Sequence, residues 1–317
     1  MEYGVDIAPV AEDAACAAAP IGAGRRVQEK ILGRPSRKEK VVFPDYTEGL
    51  QIKTEDDDPR FNNALARGLA ILRCFDLDTP LLGNIEIAER TGIPKPTISR
   101  LTYTLTQLGY LLYRPEFGKY ELAAGVMALS YPYVASQQVP ALARALMVEL
   151  AKETKTNIGL GVHEGLSVLY LEYALGEARP NRRQRVGFRV PLVRTAMGLA
   201  CVAALPPGDK QRVLENIRDY YPREWPELWK RLEEAENQVR IHGYCTTIGT
   251  FERTTNVVAV PFVTSETQSI MAFNSQGPAQ LQTPARMART GERLIKLTEQ
   301  VRALLHQQRS STGGVRA

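Results

Sequence analysis

At 317 residues, with 44% hydrophobic and 24% charged residues, the chain has the size and composition of a globular protein with two domains of common size. No apolar run approaches the roughly 20 residues that span a bilayer, so no membrane role is expected. The net charge of +5 is modest, and its distribution matters more than its total.

Four cysteines (Cys16, Cys74, Cys201, Cys245) stand far apart, with no CxxC pair and no metal-ligand spacing. They fit reduced thiols in a cytoplasm. Three histidines (His163, His242, His306) form no HExxH-like arrangement, so neither a metal nor a cofactor is expected. The Ala-rich start, IAPVAEDAACAAAPIGAG, carries Glu12 and Asp13 and lacks a basic n-region, so it reads as a tail rather than a targeting signal.

Residues 1–60 show no sustained helical or strand period and are expected to be a disordered arm. Seven Lys or Arg between Ile21 and Lys40 face only Glu29 and Glu39. Solvated loop charge explains this cluster as well as phosphate contact does, and within it GRPSRK (33–38) has the form of a minor-groove hook, a match short enough to arise by chance. Order is expected from Phe61. In FNNALARGLAILRCF, Leu65, Leu69, Leu72 and Phe75 share one helical face. A short helix follows in LLGNIEIAERTG, with Ile85, Ile87 and Ala88 inward and Gly92 as its stop.

The next stretch, TGIPKPTISRLTYTLTQLGY, decides the functional reading. Ile98, Leu101, Leu105 and Leu108 form an apolar stripe, opposite Pro96, Ser99, Arg100, Tyr103 and Gln107. No acidic residue occurs between Thr91 and Leu112, as contact with a polyanion requires. Ser, Gln and Arg hydrogen-bond base edges, and Thr97 in the first turn is placed to hold a phosphate. GYLLYRPEFGKYEL then reads as a hairpin turning at 115–119, carrying Arg114 and Lys119. Helix, helix, turn, helix and hairpin over 61–122 is the order of a winged helix-turn-helix. The bland alternative is a helical hairpin packed on a neighbouring domain.

AAGVMALSYPYVASQQ is expected to be a linker helix over 123–137, broken near Pro132. Residues 138–310 alternate helices with apolar strands, which implies an α+β domain with one antiparallel sheet, and 311–317 is a tail. The helix in ALARALMVELAKET leads to strands in NIGLGVHE and LSVLYLEYAL. VGFRVPLVRTAMGLACVAAL holds a strand and an apolar helix, and closes a second basic cluster (176–194). REWPELWKRLEEAENQVRIHG is a polar helix, with Trp225 and Trp229 packed onto the sheet. NVVAVPFV and SIMAFNSQG are further strands, and a long amphipathic helix ends the domain. Cys201 reads as core and His163 as a hairpin residue. Asn274 and Gln276 share one side of a strand, as a polar pocket wall should.

In order along the chain, ALARGLAIL, IAERTGIPKPTISRL, LGYL with KYEL, VGFRVPLVRTAMG, HGYC, and VAVPF with NSQGPA resemble the IclR family of bacterial transcription regulators. The likeness covers about Phe61 to Gln308. It implies a winged helix-turn-helix joined to a sensor-like effector domain related to small-molecule sensor (GAF-like) folds. It also implies homodimers or homotetramers on pseudo-palindromic double-stranded DNA. Carried over by position, Arg100 falls on the family's recognition-helix Arg and Arg67 on a basic position of the first helix. Lys95 joins them at the start of the recognition helix. The resemblance places an effector pocket around Thr195, Ala196, Gly198, Cys245, Thr247, Asn256, Val257, Asn274 and Gln276. Cys245 is divided between pocket and core. Asn274 and Gln276 replace the family's smaller polar residues, and TTIGTFERTTN lacks its acidic, Gly-punctuated form.

The expected function is a cytoplasmic, ligand-responsive regulator of catabolic genes that senses a small organic acid or aromatic catabolite. A carboxylate suits its polar wall. An enzyme with an appended DNA-binding domain is the first alternative; against it, no P-loop, GxSxG or strand-borne GxGxxG occurs. A non-specific architectural DNA binder is the second.

Overall fold

The computed structural model describes residues 60–177, 185–264 and 269–312. Residues 1–59 of the expected arm, with GRPSRK and Cys16, lie outside them, as do 178–184 of the second basic cluster and 313–317 of the tail.

Helix α1 (Asn63–Arg73) starts where the Asn62 side chain accepts a hydrogen bond from the Leu65 N–H at 3.0 Å. Helix α2 (Asn84–Thr91) opens with the Glu86 carboxylate accepting the Gly83 N–H at 2.7 Å. It stops at Gly92, whose φ of 67° lies in the left-handed region that a side chain resists. Pro94 and Pro96 then preset the start of α3 (Lys95–Gln107). Strands β1 (Leu111–Arg114) and β2 (Lys119–Leu122) pair antiparallel, and Leu82 exchanges backbone hydrogen bonds with Tyr120 alongside them. Ile71, Leu82, Ile87, Ile98 and Leu111 form the core of this winged unit.

The expected apolar stripes are rotated from the faces that become buried. In α1 the buried residues are Gly68, Ala70 and Ile71, continued by Cys74 and Phe75, whereas Leu65 and Leu69 are exposed. Ile85 and Leu108 are exposed as well. A period of 3.6 identifies a stripe, but in a unit this small each helix covers only a sector, and its neighbours choose which one. In α3 the sector includes Thr102, fully buried because its hydroxyl donates to the Ile98 carbonyl at 2.9 Å.

Helix α4 (Ala124–Ser136) runs through Pro132 rather than breaking there, and buries none of its residues. Proline removes one hydrogen bond and crowds the preceding turn, which one helix can absorb as a bend.

The second unit runs α5 (Gln138–Thr154), β3 (Asn157–Glu164), β4 (Ser167–Ala174), β5 (Arg189–Pro191), α6 (Ala196–Ala203), α7 (Pro207–Tyr220), α8 (Trp225–His242), β6 (Cys245–Ile248), β7 (Thr255–Val263), β8 (Ile270–Pro278) and α9 (Pro284–Thr312). Its strands form an antiparallel sheet in the order β5-β4-β3-β8-β7-β6. Met271 and Phe273 of β8 face Met147, Leu294 and Val301 of α5 and α9. Ala272 faces the opposite way, toward Met197 of α6 and Leu228 of α8. The protein is thus α+β, a winged helix-turn-helix followed by a sheet covered on both faces.

Two elements were not anticipated. Helix α7 buries only Ile217, so its apolar period is faint, and β6 is a four-residue strand. Trp225 packs against the α6-side core as expected, but Trp229 is exposed. His163 sits at the β3–β4 turn, its Nε2 2.8 Å from the Gly165 carbonyl oxygen.

Candidate functional site

Two surfaces gather the candidate residues. On α3, Lys95, Pro96, Ser99, Arg100, Tyr103 and Gln107 are all exposed, while Thr97 is half-buried. The face is set by what lies behind it, since Ile98, Thr102 and Leu105 fill the core. Ser99 Oγ accepts from Asn84 Nδ2 at 3.2 Å, tying the recognition face to α2. Arg67 on α1 is half-buried.

The hairpin cations are differently placed. Arg114 Nε donates to Glu121 Oε1 at 2.9 Å across the β1–β2 pair. Lys119 Nζ donates to Glu86 Oε1 at 2.8 Å. The hydrogen bond from the Gly83 N–H, and then the one from Lys119, hold the Glu86 carboxyl below the ordinary range. Each hairpin cation therefore presents a neutralised pair to solvent.

The second surface is a small, partly open pocket on the α6 side of the sheet. Thr195, Thr247, Val257, Asn274 and Gln276 line it, as do Tyr170, Val190, Phe251, Glu252 and Thr255. Register explains the convergence: Val257 lies opposite both Thr247 and Gln276, and Asn274 is two residues along on the same face. Asn274 Nδ2 donates to the Tyr170 hydroxyl at 3.1 Å and Gln276 Nε2 to the Tyr173 hydroxyl at 2.6 Å. Burial pushes both phenols well above the ordinary tyrosine range, so they stay neutral. Asn274 Oδ1 is buried with no partner. Gly159 makes room for this floor, since a Cβ there would lie 2.3 Å from the Tyr170 ring. Thr195 caps α6, accepting from the Gly198 N–H at 3.2 Å and donating to the Pro191 carbonyl at 2.9 Å.

The other expected pocket residues do not line it. Asn256 neighbours Val257 in β7 and so points to the opposite face, where its Nδ2 donates to the Gln282 carbonyl at 2.9 Å. Cys245 is fully buried with its thiol 3.3 Å from the Ala196 carbonyl, and burial pushes that thiol up to about 12. Cys201 is core as well. Gly198 and Ala196 are buried in α6, where Gly198 lets the helix close on the Leu192 backbone. Sequence reasoning missed Tyr170, Val190, Phe251, Glu252 and Thr255. Thr255 sits two residues before Val257, and period-2 reasoning could have found it. Glu252 lies in an irregular turn that no period places.

Residues 64–115 match the IclR helix-turn-helix domain, and residues 131–303 match the bacterial transcriptional regulator IclR C-terminal domain. The chain belongs to the IclR family. This IclR-family protein is 32% identical over 248 residues to the HTH-type transcriptional regulator TsaQ1/TsaQ2 of Comamonas testosteroni, covering 76% of this chain and 87% of that one. An IclR family transcriptional regulator from Brucella abortus, known by crystal structure, is 37% identical with a TM-score of 0.70, over 79% of this chain and 95% of the other. An IclR homolog from Microbacterium hydrocarbonoxydans, crystallised with 4-hydroxybenzoate, shares the fold at a TM-score of 0.56 and 22% identity, over 76% and 97% of the two chains. The protein is a DNA-binding transcriptional regulator with a separate effector domain. Among the described residues no His, Cys, Asp and Glu cluster could hold a metal, and no helix is long and apolar enough to cross a membrane.

Proposed function

We propose that this regulator reads a pseudo-palindromic operator as a homodimer and is switched by a small aromatic acid to control catabolic genes in the cytoplasm. The observation that carries the DNA half is the exposed face of α3. It has no carboxylate, and it offers Arg100, Ser99 and Gln107 to base edges with Lys95 and Thr97 at the phosphate end. Arg67 on α1 contacts the backbone from the side. Arg114 and Lys119, already paired, contribute less to phosphate attraction than their charge suggests.

The pocket supports the effector half. Val190, Phe251 and Val257 offer apolar walls for one ring, and the N-terminal end of α6 beside Thr195 suits a carboxylate. The relative crystallised with 4-hydroxybenzoate makes aromatic acids the first class to try. A palindrome needs two recognition helices about one DNA turn apart, hence two copies. The apolar α4, which buries none of its residues, supports a second copy covering it. Ligand binding then shifts the spacing of the two α3 helices by its differential affinity for the two arrangements.

Fluorescence anisotropy on selected palindromic against random DNA at fixed salt, with and without aromatic acids, tests the proposal. A palindrome preference shifted by one acid is the expected result. Equal, salt-controlled affinity without any acid response would return the architectural alternative.

A further inference from the structure

We propose that Asn84 is a positioning residue for DNA reading: it holds Ser99 so that the serine hydroxyl faces DNA as a hydrogen-bond donor. The inference rests on the reading that the exposed face of α3 meets DNA. It adds the chemistry that one residue of that face takes, an acceptor atom.

A serine or threonine inside a helix can place its proton on the backbone carbonyl one turn back. Three threonines of α3 do so. Thr102 donates to the Ile98 carbonyl at 2.9 Å, Thr104 to the Arg100 carbonyl at 3.0 Å and Thr106 to the Thr102 carbonyl at 2.8 Å. Ser99 does not. Among the described residues its Oγ has a single partner, the Asn84 Nδ2 that donates to it at 3.2 Å. One lone pair is thereby engaged from α2, and the proton is left without an acceptor in the protein. Ser99 is exposed on the same helix as Lys95, Arg100 and Tyr103, so an acceptor on bound DNA meets it there.

The polarity of the pair follows from where the amide sits. Asn84 is the first residue of α2 and half-buried, and its Oδ1 is enclosed with no partner. Turned the other way, the amide would enclose two N–H donors without acceptors in place of one oxygen, which costs more. The core beneath fixes α2 against α3, since Ile87 and Ile98 are both inaccessible, so Asn84 stays opposite Ser99. A donor is matched by base-edge acceptors such as guanine O6 and N7, or by a phosphate oxygen, and not by the cytosine amino group.

Asn84→Asp keeps the shape and reverses the polarity: an acceptor-only carboxylate draws the Ser99 proton inward and leaves lone pairs toward DNA. Aspartate in the first turn of a helix and alanine at exposed Ser99 both suit the fold, so the thermal midpoint by circular dichroism should hold. A double-mutant cycle of Asn84→Asp and Ser99→Ala in the full-length protein separates the hydroxyl from the added charge. Fluorescence anisotropy reads it on the palindrome that the wild type selects, on single-base-pair variants of it, and on a random duplex. Ser99→Ala should weaken the palindrome about three- to tenfold, the range of a neutral hydrogen bond. Asn84→Asp should weaken it more, by that same factor, when Ser99 is present than when alanine replaces it. A loss confined to one base pair assigns the acceptor to a base edge, and an equal loss on every duplex assigns it to a phosphate; either supports the donor role. An Asn84→Asp effect equal in the two backgrounds would overturn it, because Ser99 would then offer DNA no proton that Asn84 directs. If Arg100→Ala and Ser99→Ala both leave palindrome affinity untouched, the face of α3 is not the reading face and both proposals fall.

Discussion

Replacing Gly198 with alanine pits a helix preference against a tertiary contact. Inside a helix, alanine is favoured over glycine by about 1 kcal/mol, so the propensity of α6 alone predicts stabilisation. The fold predicts the opposite. A Cβ on Gly198 would stand 2.0 Å from the Leu192 carbonyl oxygen and 2.6 Å from the Leu192 Cα, both backbone atoms. Reaching even 3.0 Å from that oxygen moves the helix or the strand-to-helix turn by about 1 Å. Neither side can yield cheaply, because Leu192, Val193, Met197 and Cys201 are all nearly inaccessible. Overpacking of this kind costs about 1–3 kcal/mol, which exceeds the propensity gain. Both tryptophans of the chain, Trp225 and Trp229, lie on α8, so their fluorescence follows the effector domain alone during denaturant unfolding. Gly198→Ala should lower the midpoint, and should weaken 4-hydroxybenzoate because Thr195 moves with the helix. A midpoint equal to or above that of the wild type would refute the close-contact account and return Gly198 to an ordinary helix position.

Arg100→Ala should weaken operator binding by about 1–3 kcal/mol and relax preference at one base pair, measured by anisotropy on single-substitution operators. Lys119→Ala should change the salt slope of binding by less than the one unit that a free phosphate-contacting cation gives, because Glu86 already neutralises it. Met127→Glu on α4, where the side chain is 73% exposed, should leave monomer stability almost unchanged yet shift sedimentation toward monomer, since a two-fold contact would place like charges together. The depressed carboxyl of Glu86 contributes stability that is present above its unfolded value of about 4.3 and is lost as pH falls through the lower folded value. The melting-temperature gap between wild type and Glu86→Gln should therefore be open near neutrality and close in acid; a gap that widens in acid would contradict the sign.

The sequence by itself determined the order of the elements in the winged unit and the exposed, carboxylate-free face of α3. Gly92 and Pro94 punctuate the turn into α3 through backbone geometry alone, and a stretch without carboxylates marks the polyanion side whatever packs behind it. Strand alternation likewise put Asn274 and Gln276 on one side of β8. Tertiary structure decided what depends on distance between elements. Register across β6, β7 and β8 turned Asn256 away and Thr247 inward, and only packing showed that Gly198 lets α6 close on the Leu192 backbone. Arg114 and Lys119 read as free cations until the hairpin set Glu121 and Glu86 beside them. Local patterns report propensity and face. Burial, pairing and pocket membership belong to contacts between residues far apart in the chain, and Glu252 entered the site by that route.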